Sequence, residues 1–391
     1  MSPPVSRPGV QLAHKGRILR NTRRLVIKLG SAILSSPRGL RRQRIRALVR
    51  DMVEINRGGR ELVIVTSGAI ASGQGRLRLS SRPRTVRMKQ AAAAVGQIHL
   101  MALYERAFAS HGSHAAQLLL TREDFTNRTR YLNAEHTLTT LLDLGIIPII
   151  NENDSVAVDE IKFGDNDILS ALTAALVGAD LLVILSDVGG LYARDPQVDP
   201  GAPLILLATA PGESTRRCAG SRPGKLGTGG MASKLEAASV AASAGISTII
   251  ADGARERILH SILDPNTEVG TLILATGGRL ARRKHWIAYT LKPAGTLTVD
   301  QGAHDAVVER RGSLLPSGLC AVEGRFSAGE CVCCLDPNGS EFARGLVNYS
   351  DTELRKIAGV HTRDIEKHLG YKISDEVIHR DDLVVTRHPS G

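Results

Sequence analysis

Aromatic side chains are scarce in this chain of 391 residues, at 3% of the sequence with a single tryptophan. Single-stranded nucleic acids are bound largely by stacking their bases on aromatic rings. This scarcity therefore weakens a nucleic-acid interpretation of the net charge of +11. The basic runs Arg41–Arg50 and Arg76–Lys89 alternate with apolar residues, which is more typical of solvated faces. A positive field also suits a protein that gathers anionic small molecules, so the charge alone does not identify the partner.

Long hydrophobic runs are also lacking. The best apolar stretch, Leu172–Leu185, is interrupted by Asp180, so we expect no segment that crosses a membrane. Residues 1–23 are basic and contain no acidic residue, but they lack the apolar core of a signal peptide. We therefore expect them to form a disordered basic extension.

Cysteines are few and odd in number, with five in total and four of them between residues 320 and 334. This count argues against a disulfide framework and favours a reducing cytoplasm. Cys331, Cys333 and Cys334 lie closer together than the usual zinc spacing and have no matching second pair. We expect a cytoplasmic protein, and no metal ligand is assigned among its side chains.

The length is sufficient for two domains, each with its own hydrophobic core. Up to about residue 275, short apolar runs alternate with helical segments, a pattern typical of a parallel sheet covered on both faces. The predicted strands are Leu25–Leu29, Leu62–Thr66, Ala115–Leu120, Ile146–Ile150, Leu181–Ser186 and Ser247–Ala251. The predicted helices are Arg44–Asn56, Val86–Ser110, Tyr131–Asp143, Ile168–Val177 and Met231–Ala244. The fold class is therefore α/β, with a three-layer, doubly wound and mainly parallel sheet.

The remainder of the chain has a different character. From about Pro293 onward, short apolar runs are separated by many glycines and prolines, which indicates a small, mostly β domain. The predicted organisation is a catalytic domain over residues 24–276, a linker over 277–292 and the small domain over 293–391.

Polar residues follow several of the predicted strands. Each could be a simple turn or helix cap, but ligands bind at the carboxyl ends of parallel strands, where these residues would meet. The set comprises Lys28, Gly30, Ser31, Ser67, Gly68, Asn151–Asp154, Gly164–Asp167, Ser186 and Asp187. Their common position predicts a site for phosphate and a small polar substrate.

A glycine-rich segment, Lys225–Lys234, precedes one of the predicted helices. Glycines followed by a helix N-terminus favour anion binding, and Lys234 would add a positive charge. The segment is not a Walker A loop, since G-x-x-x-x-G-K-[ST] is absent from the chain. It does match the glycine spacing of dinucleotide sites. However, a polar loop rather than a strand precedes it, which disfavours an NAD-linked dehydrogenase.

These same segments resemble the glutamate 5-kinase family of the amino acid kinase superfamily. Toward the C-terminus, three further segments are similar to the PUA domain that many of these kinases append. The kinase-like segments are Val26–Ser31, Ile64–Gly73, Ile150–Val158, Lys162–Ala171, Leu185–Pro196 and Leu226–Lys234. The PUA-like ones are Thr296–Ala303, Ser313–Gly318 and Phe326–Glu330.

The resemblance implies ATP-dependent phosphorylation of the side-chain carboxylate of L-glutamate, the first step of proline biosynthesis. It implies catalytic roles for Lys28, Lys234 and Asp167, and contacts to glutamate from Ser67, Asp154 and Asn166. The implied ATP-binding residues are Lys28, Gly30, Ser186, Asp187, Thr228, Gly229, Gly230, Met231, Ala232, Ser233 and Lys234. Mg²⁺, feedback inhibition by L-proline and assembly into dimers or tetramers are implied as well.

Two alternatives remain at this stage. One is another kinase of the superfamily that forms an acyl phosphate on acetylglutamate or aspartate. The other is an RNA-binding role for the PUA-like domain. Acidic residues are interspersed among the basic ones over 293–391, so no continuous basic stripe is visible there and RNA is a less favoured partner.

Overall fold

The computed structural model describes residues 9–36, 39–79, 81, 83–156, 166–196, 198–209, 230–275, 291 and 293–386. The chain divides into two compact units. The first comprises Met1–Asp124 and Tyr131–Gly277, and the second comprises Phe125–Arg130 and Gly278–Gly391. Within the described ranges, every helix is too short or too polar to cross a membrane.

The first unit is built on an eight-stranded sheet with the strand order β5-β6-β4-β1-β7-β9-β10-β8. All neighbouring strands run parallel except β9 and β10, which are antiparallel. The strands are β1 (Arg24–Leu29), β4 (Glu61–Val65), β5 (Ala115–Leu120), β6 (Ile147–Glu152), β7 (Leu181–Ser186), β8 (Leu207–Thr209), β9 (Ser247–Asp252) and β10 (Thr271–Leu274). A short ladder pairs β2 (Ser35–Ser36) with β3 (Gly39–Leu40).

The central strands of this sheet are buried on both faces, as their unbroken apolar sequences require. All six predicted strands are present and the mainly parallel α/β architecture is confirmed. Strands β8 and β10 were not predicted. They have three and four residues, too few to produce a clear periodic pattern.

Helices connect the strands and cover the sheet. Up to residue 263 they are α1 (Val10–Asn21), α2 (Ser31–Leu34), α3 (Arg42–Arg57), α4 (Ala69–Arg76), α5 (Val86–Ala109), α6 (Arg122–Thr126), α7 (Arg128–Asp143), α8 (Asn166–Leu176), α9 (Met231–Ser243) and α10 (Ile258–Leu263). The five predicted helices correspond to α3, α5, α7, α8 and α9. Helices α4 and α5 touch backbone to backbone: a Cβ on Gly73 would lie 1.8 Å from the carbonyl oxygen of Ala92.

Helix α1 corrects the expectation that residues 1–23 are disordered. Gln11 and Lys15 of this helix are buried, and Leu19 belongs to the main hydrophobic core. The carboxamide nitrogen of Gln11 lies 2.8 Å from the carbonyl oxygen of Leu206. The sequence reading missed the helix because two of its buried side chains are polar.

The second unit contains a five-stranded sheet with the order β12-β11-β13-β14-β15. These strands are β11 (Gly295–Val299), β12 (Leu319–Gly324), β13 (Cys331–Leu335), β14 (Glu341–Leu346) and β15 (Leu383–Val385), with α11 (Gln301–Val308), α12 (Asp351–Ile357) and α13 (Ile365–Leu369) beside them. The mostly β character expected for residues 293–391 is confirmed, whereas most of the expected linker, 277–292, lies outside the described residues.

Three cysteines of the second unit lie on β13, while Cys320 is exposed on β12. Cys334 belongs to the core of this unit, and Cys331 packs against Leu291 and Leu346. Burial raises the pKa of the Cys331 and Cys333 thiols to about 12, so both remain protonated at neutral pH. Zinc binds the thiolate form, which these surroundings disfavour.

Candidate active site

Two lysines share one buried carboxylate at the centre of the first unit. The Nζ atom of Lys28 lies 2.5 Å from Oδ1 of Asp167, and the Nζ atom of Lys234 lies 3.1 Å from Oδ2 of the same residue. The side chains of Lys28, Lys234 and Asp167 are 4%, 7% and 0% exposed. Removing three charges from water is costly unless they neutralise one another, so each lysine depends on Asp167.

Three separate elements bring these side chains together. Lys28 is the fifth residue of β1. Leu25, Ile27 and Leu29 of this strand face the main core, so Val26 and Lys28 lie on the opposite face of the sheet. Asp167 is the second residue of α8, where the positive end of the helix dipole stabilises a carboxylate. Lys234 is the fourth residue of α9.

The Asp167 carboxylate has a further donor. The hydroxyl of Ser233 donates to Oδ2 at 2.9 Å, and it also lies 3.0 Å from the carbonyl oxygen of Gly230. The hydroxyl of Ser170 donates to the main-chain carbonyl of Asp167 at 2.6 Å. Asp167 is therefore held rigidly between β1 and the first turn of α9.

A chain of carboxamides lies beside this charged group. The Nδ2 atom of Asn166 is 2.6 Å from the carbonyl oxygen of Thr66, 2.9 Å from the hydroxyl of Ser67 and 2.9 Å from Oδ1 of Asn151. The Nδ2 atom of Asn151 donates in turn to Oε1 of Gln97 at 2.9 Å. The ends of β4 and β6 are thus linked to the start of α8 and to the middle of α5.

Asp154 lies at the wall of a cavity of about 250 Å³ next to these amides. The cavity is also lined by Ala69, Ala93, Gln97, Glu152 and Asn153, among others. Its lining combines carboxylate and amide groups with apolar side chains. A small zwitterionic molecule fits that combination.

The residues expected to bind nucleotide lie at neighbouring strand ends. Ser186 ends β7, and its hydroxyl donates to Oδ1 of Asp187 at 3.1 Å. The amide of Gly30 donates to the carbonyl of Leu185 at 3.2 Å, and a Cβ on Gly30 would lie 3.8 Å from Nζ of Lys28. Gly30 therefore leaves open the space directly beside that ammonium group.

The end of the glycine-rich segment leads into α9. Gly230 precedes the helix in an extended conformation, and Met231, Ala232 and Ser233 form its first turn. The backbone amides of a first helical turn are directed toward the helix N-terminus, where an anion can accept hydrogen bonds from them. Thr228 and Gly229 lie outside the described residues, as do Gly164 and Asp165.

A second cavity, of about 490 Å³, is lined in part by Asp187. Tyr192, Asp252, Arg255 and Gly270 contribute to its walls. It combines an aromatic ring with charged groups of both signs. This mixture suits a large polar ligand.

One group of three side chains in the described part of the chain could share a cation: Asp51, Glu54 and His260. Arg257 Nη1 lies 3.5 Å from Asp51 and 2.9 Å from Glu54, and His260 lies 3.1 Å from Glu54. These residues therefore form an ion-pair network with Arg257. They belong to α3 and α10, which carry neither of the paired lysines.

Comparison with known proteins agrees with this geometry. Residues 23–252 match the Amino acid kinase family, and residues 295–369 match the PUA domain. The glutamate 5-kinase of Geobacter sp. (strain M21) is 50% identical over 369 residues, which cover 94% of this chain and 99% of that protein. The glutamate 5-kinase of Myxococcus xanthus (strain DK1622) is 50% identical over 368 residues, covering 94% of this chain and 97% of that protein. The chain belongs to the glutamate 5-kinase family.

The relatives in the glutamate 5-kinase family extend beyond these two genera. The protein of Caldanaerobacter subterraneus subsp. tengcongensis is 47% identical over 363 residues, covering 93% of this chain and 97% of that protein. The match therefore includes both units rather than the first alone. The C-terminal unit, described above as a five-stranded sheet, is the PUA domain of this family member.

The site of this glutamate 5-kinase family member also contains residues that the sequence reading did not select. Asn151 was noted as a strand ending but given no role, and Gln97 was not noted. Gln97 lies in the middle of α5, and a search restricted to the ends of strands could not find it. Its only sequence signal is a glutamine that directly follows a glycine within an alanine-rich helix.

Proposed function

We propose that the protein transfers the γ-phosphoryl group of ATP to the side-chain carboxylate of L-glutamate, giving L-glutamyl 5-phosphate and ADP in the first step of proline biosynthesis. The observation that carries this proposal is the pair of lysines on Asp167, in a chain about half identical to glutamate 5-kinases. Two fixed cations flanking one anion suit the movement of a phosphoryl group between two negatively charged molecules.

The reaction needs little acid–base chemistry from the protein. The glutamate carboxylate is already ionised at neutral pH, so no general base has to activate it. One of its oxygens forms a bond to the γ-phosphorus, while the bond from that phosphorus to the β–γ bridging oxygen breaks. ADP leaves with the electron pair of that bond. Catalysis therefore consists of alignment and charge stabilisation.

The two lysines take complementary roles in this scheme. Lys28, at the end of β1, contacts the transferring phosphoryl group. Because Gly30 has no side chain, this group can approach the Lys28 ammonium closely. Lys234, in the first turn of α9, contacts the nucleotide phosphates together with the amides of Met231 and Ala232. Asp167 positions both ammonium groups without touching the substrates.

The two cavities divide the substrates between them. Glutamate occupies the cavity that Asp154 lines, with the Asp154 carboxylate facing the α-ammonium group. Ser67 and Asn166, which are hydrogen-bonded to each other, contact glutamate from beside this cavity. The nucleoside of ATP occupies the cavity beside Ser186 and Asp187, with its phosphates leading toward α9. Thr228 and Gly229 complete the phosphate site in this proposal.

Mg²⁺ fits this site mainly through the phosphates of ATP. The Asp167 carboxylate is neutralised by two lysines, which makes it a poor ligand for a further cation. Magnesium commonly relies on substrate phosphates, water and one or two carboxylates, and the Asp187 side chain lines the cavity proposed for the nucleotide. When bound, the ion neutralises charge on the phosphate oxygens.

Regulation and assembly are proposed on the family resemblance alone. We expect L-proline to inhibit the enzyme and two or four chains to assemble, in the cytoplasm. The PUA domain is assigned a structural or regulatory role rather than RNA binding.

The decisive experiment supplies the purified protein with ATP, Mg²⁺ and one acceptor at a time: L-glutamate, L-aspartate or N-acetyl-L-glutamate. ADP release and trapping of the acyl phosphate by hydroxylamine are measured together. We expect turnover on glutamate and little on the other two, because aspartate is one methylene shorter and acetylation removes the ammonium group that faces Asp154. Turnover on acetylglutamate or aspartate without turnover on glutamate would establish the other kinase activity instead.

A further inference from the structure

Gln97 has an unusual position for a residue in the middle of a helix. Its side chain ends the chain of carboxamides described above, and the residue is 8% exposed. Oε1 accepts from Asn151, but within the described residues Nε2 has no hydrogen-bond partner although it is buried. A buried donor without a partner is unfavourable and rare in proteins, so a ligand group is the natural partner for Nε2.

A single backbone carbonyl orients all three carboxamides. Thr66 offers a carbonyl oxygen, which only accepts, so the atom of Asn166 that lies 2.6 Å away must be its nitrogen. That nitrogen is 2.9 Å from one terminal atom of Asn151, which must then be the oxygen.

The same reasoning extends outward to α5. The other terminal atom of Asn151 is its nitrogen, which donates to the oxygen of Gln97 at 2.9 Å. The remaining atom of the Gln97 carboxamide is therefore the NH₂ group. The orientation of Gln97 thus follows from hydrogen-bond chemistry and does not depend on how the oxygen and nitrogen positions were assigned.

The NH₂ group belongs to a residue that lines the cavity of about 250 Å³, together with Asp154. An amide donor and a carboxylate at the wall of one small cavity are complementary to a molecule that carries both a carboxylate and an ammonium group. The α-carbon of an amino acid bears these two groups side by side. Asp154 matches the ammonium group. Gln117 and Asn153 also bring amide groups to this cavity. Gln97 is singled out for the carboxylate because its buried NH₂ group has no partner within the described residues.

The packing next to Gln97 leaves little freedom for it to move. A Cβ on the preceding residue, Gly96, would lie 1.8 Å from the carbonyl oxygen of Ala69 and 2.4 Å from the amide nitrogen of Gly73. The backbones of α4 and α5 are thus in direct contact beside the cavity. Ala69 lines the same cavity, so this contact fixes the spacing of α4 and α5 at the cavity wall.

We propose that Gln97 determines substrate specificity by donating a hydrogen bond from Nε2 to the α-carboxylate of glutamate. This inference rests on the proposed function, since it assigns one contact within the glutamate site. It separates two tasks within that site: Asp154 selects for the α-ammonium group, and Gln97 selects for the neighbouring carboxylate. The side-chain carboxylate of glutamate is left to point toward Lys28.

The test compares two variants that break different hydrogen bonds. Gln97→Glu keeps an oxygen to accept from Asn151 but replaces the donor with a second oxygen. Gln97→Met keeps much of the volume and removes both interactions. We expect kcat/KM for glutamate to fall roughly tenfold in Gln97→Met and roughly a hundredfold in Gln97→Glu at pH 8.5, because the latter faces one carboxylate with another. The KM for ATP should stay within twofold of wild type in both.

A second measurement uses 4-aminobutanoate, which is glutamate without its α-carboxylate, as an inhibitor competing with glutamate. Its inhibition constant should change less than threefold in either variant, since the group that Gln97 contacts is missing. Lowering the pH to 6.5 should partly restore glutamate affinity in Gln97→Glu, because a protonated carboxyl can donate. Gln43→Met changes an exposed glutamine of α3 that is not among the residues lining the cavity, so it serves as the control and should behave as wild type.

Each contrary result is distinct. Wild-type affinity in Gln97→Glu with impaired Gln97→Met would show that Gln97 only anchors Asn151, and would overturn the proposal. Equal losses for glutamate and 4-aminobutanoate would assign Gln97 a purely structural role and overturn it too. If the wild-type protein fails to phosphorylate glutamate at all, the proposed function itself is wrong, and the variants are not needed to show it.

Discussion

Lys15 and the pair Lys28 and Lys234 are all buried lysines in the same unit, yet their surroundings differ. Lys28 and Lys234 contact the carboxylate of Asp167. The Nζ atom of Lys15 donates instead to two main-chain carbonyls, of Ser261 at 2.8 Å and of Thr267 at 2.5 Å. Burial lowers the pKa of Lys15 to about 8, with Asp264 acting in the opposite direction.

The difference shows that burial alone does not identify a functional lysine. At Lys15, in the middle of α1, the ammonium group donates to one carbonyl in α10 and to one in the loop that follows it, and burial disfavours its charge. At Asp167 the proposed function requires the charges, since it assigns both ammonium groups to phosphate oxygens. The partner of a buried lysine is therefore more informative than its exposure.

The largest effect should come from Asp167→Asn, which removes the partner shared by both lysines. Leaving buried cations without their counter-charge should lower the free energy of unfolding by about 3–5 kcal/mol. We also expect kcat to fall at least a thousandfold, because both ammonium groups lose their positions. Denaturant unfolding and the hydroxylamine assay measure the two effects. A variant with normal turnover would show that Asp167 is not needed to position the lysines.

Lys234→Ala should affect catalysis more selectively. We expect kcat to drop about 10²- to 10³-fold, as is typical when one group that stabilises transition-state charge is removed. The melting temperature should change little, since Lys28 remains to pair with Asp167. Near-normal turnover would remove Lys234 from the mechanism.

Lys15→Met should lower stability and leave catalysis unchanged. Two backbone carbonyls lose their donor, which should lower the free energy of unfolding by about 1–3 kcal/mol. The kcat and the KM for both substrates should remain within twofold of wild type, because Lys15 contacts only main-chain groups. A large loss of kcat in this variant would contradict the distinction between the two kinds of buried lysine.

The smallest effect concerns pH. Because the pKa of Lys15 is lowered to about 8 from 10.5, the unfolded chain holds this proton more tightly than the folded one between those values. The free energy of unfolding should therefore rise with pH over this window in the wild type, relative to Lys15→Met. Urea unfolding of both proteins at pH 7.5, 8.5 and 9.5 measures the difference. A gap that stays constant or narrows with pH would mean that the lysine keeps its ordinary pKa.

Much of the fold was predictable from the sequence because the buried strands are continuous apolar runs. The approach of Lys28 to Asp167 was anticipated from their strand-end and loop positions and from the family resemblance. Helix α1 was missed because Gln11 and Lys15 occupy buried positions where apolar residues are expected. Gln97 was missed because its role depends on the distance between α4 and α5, which involves glycines far apart in sequence.

Helix α1 has a practical consequence for trimming the protein. Its sequence looks like a dispensable leader, and a shortened version would naturally begin at Arg24, where β1 starts. Such a version would lose the side chain of Gln11, whose amide lies 3.3 Å from the carbonyl of Val269 and 3.2 Å from that of Gly270. Both residues line the larger cavity. A truncation chosen from sequence alone would therefore remove support from the wall of the proposed nucleotide cavity, although the deleted residue lies more than 250 residues away along the chain.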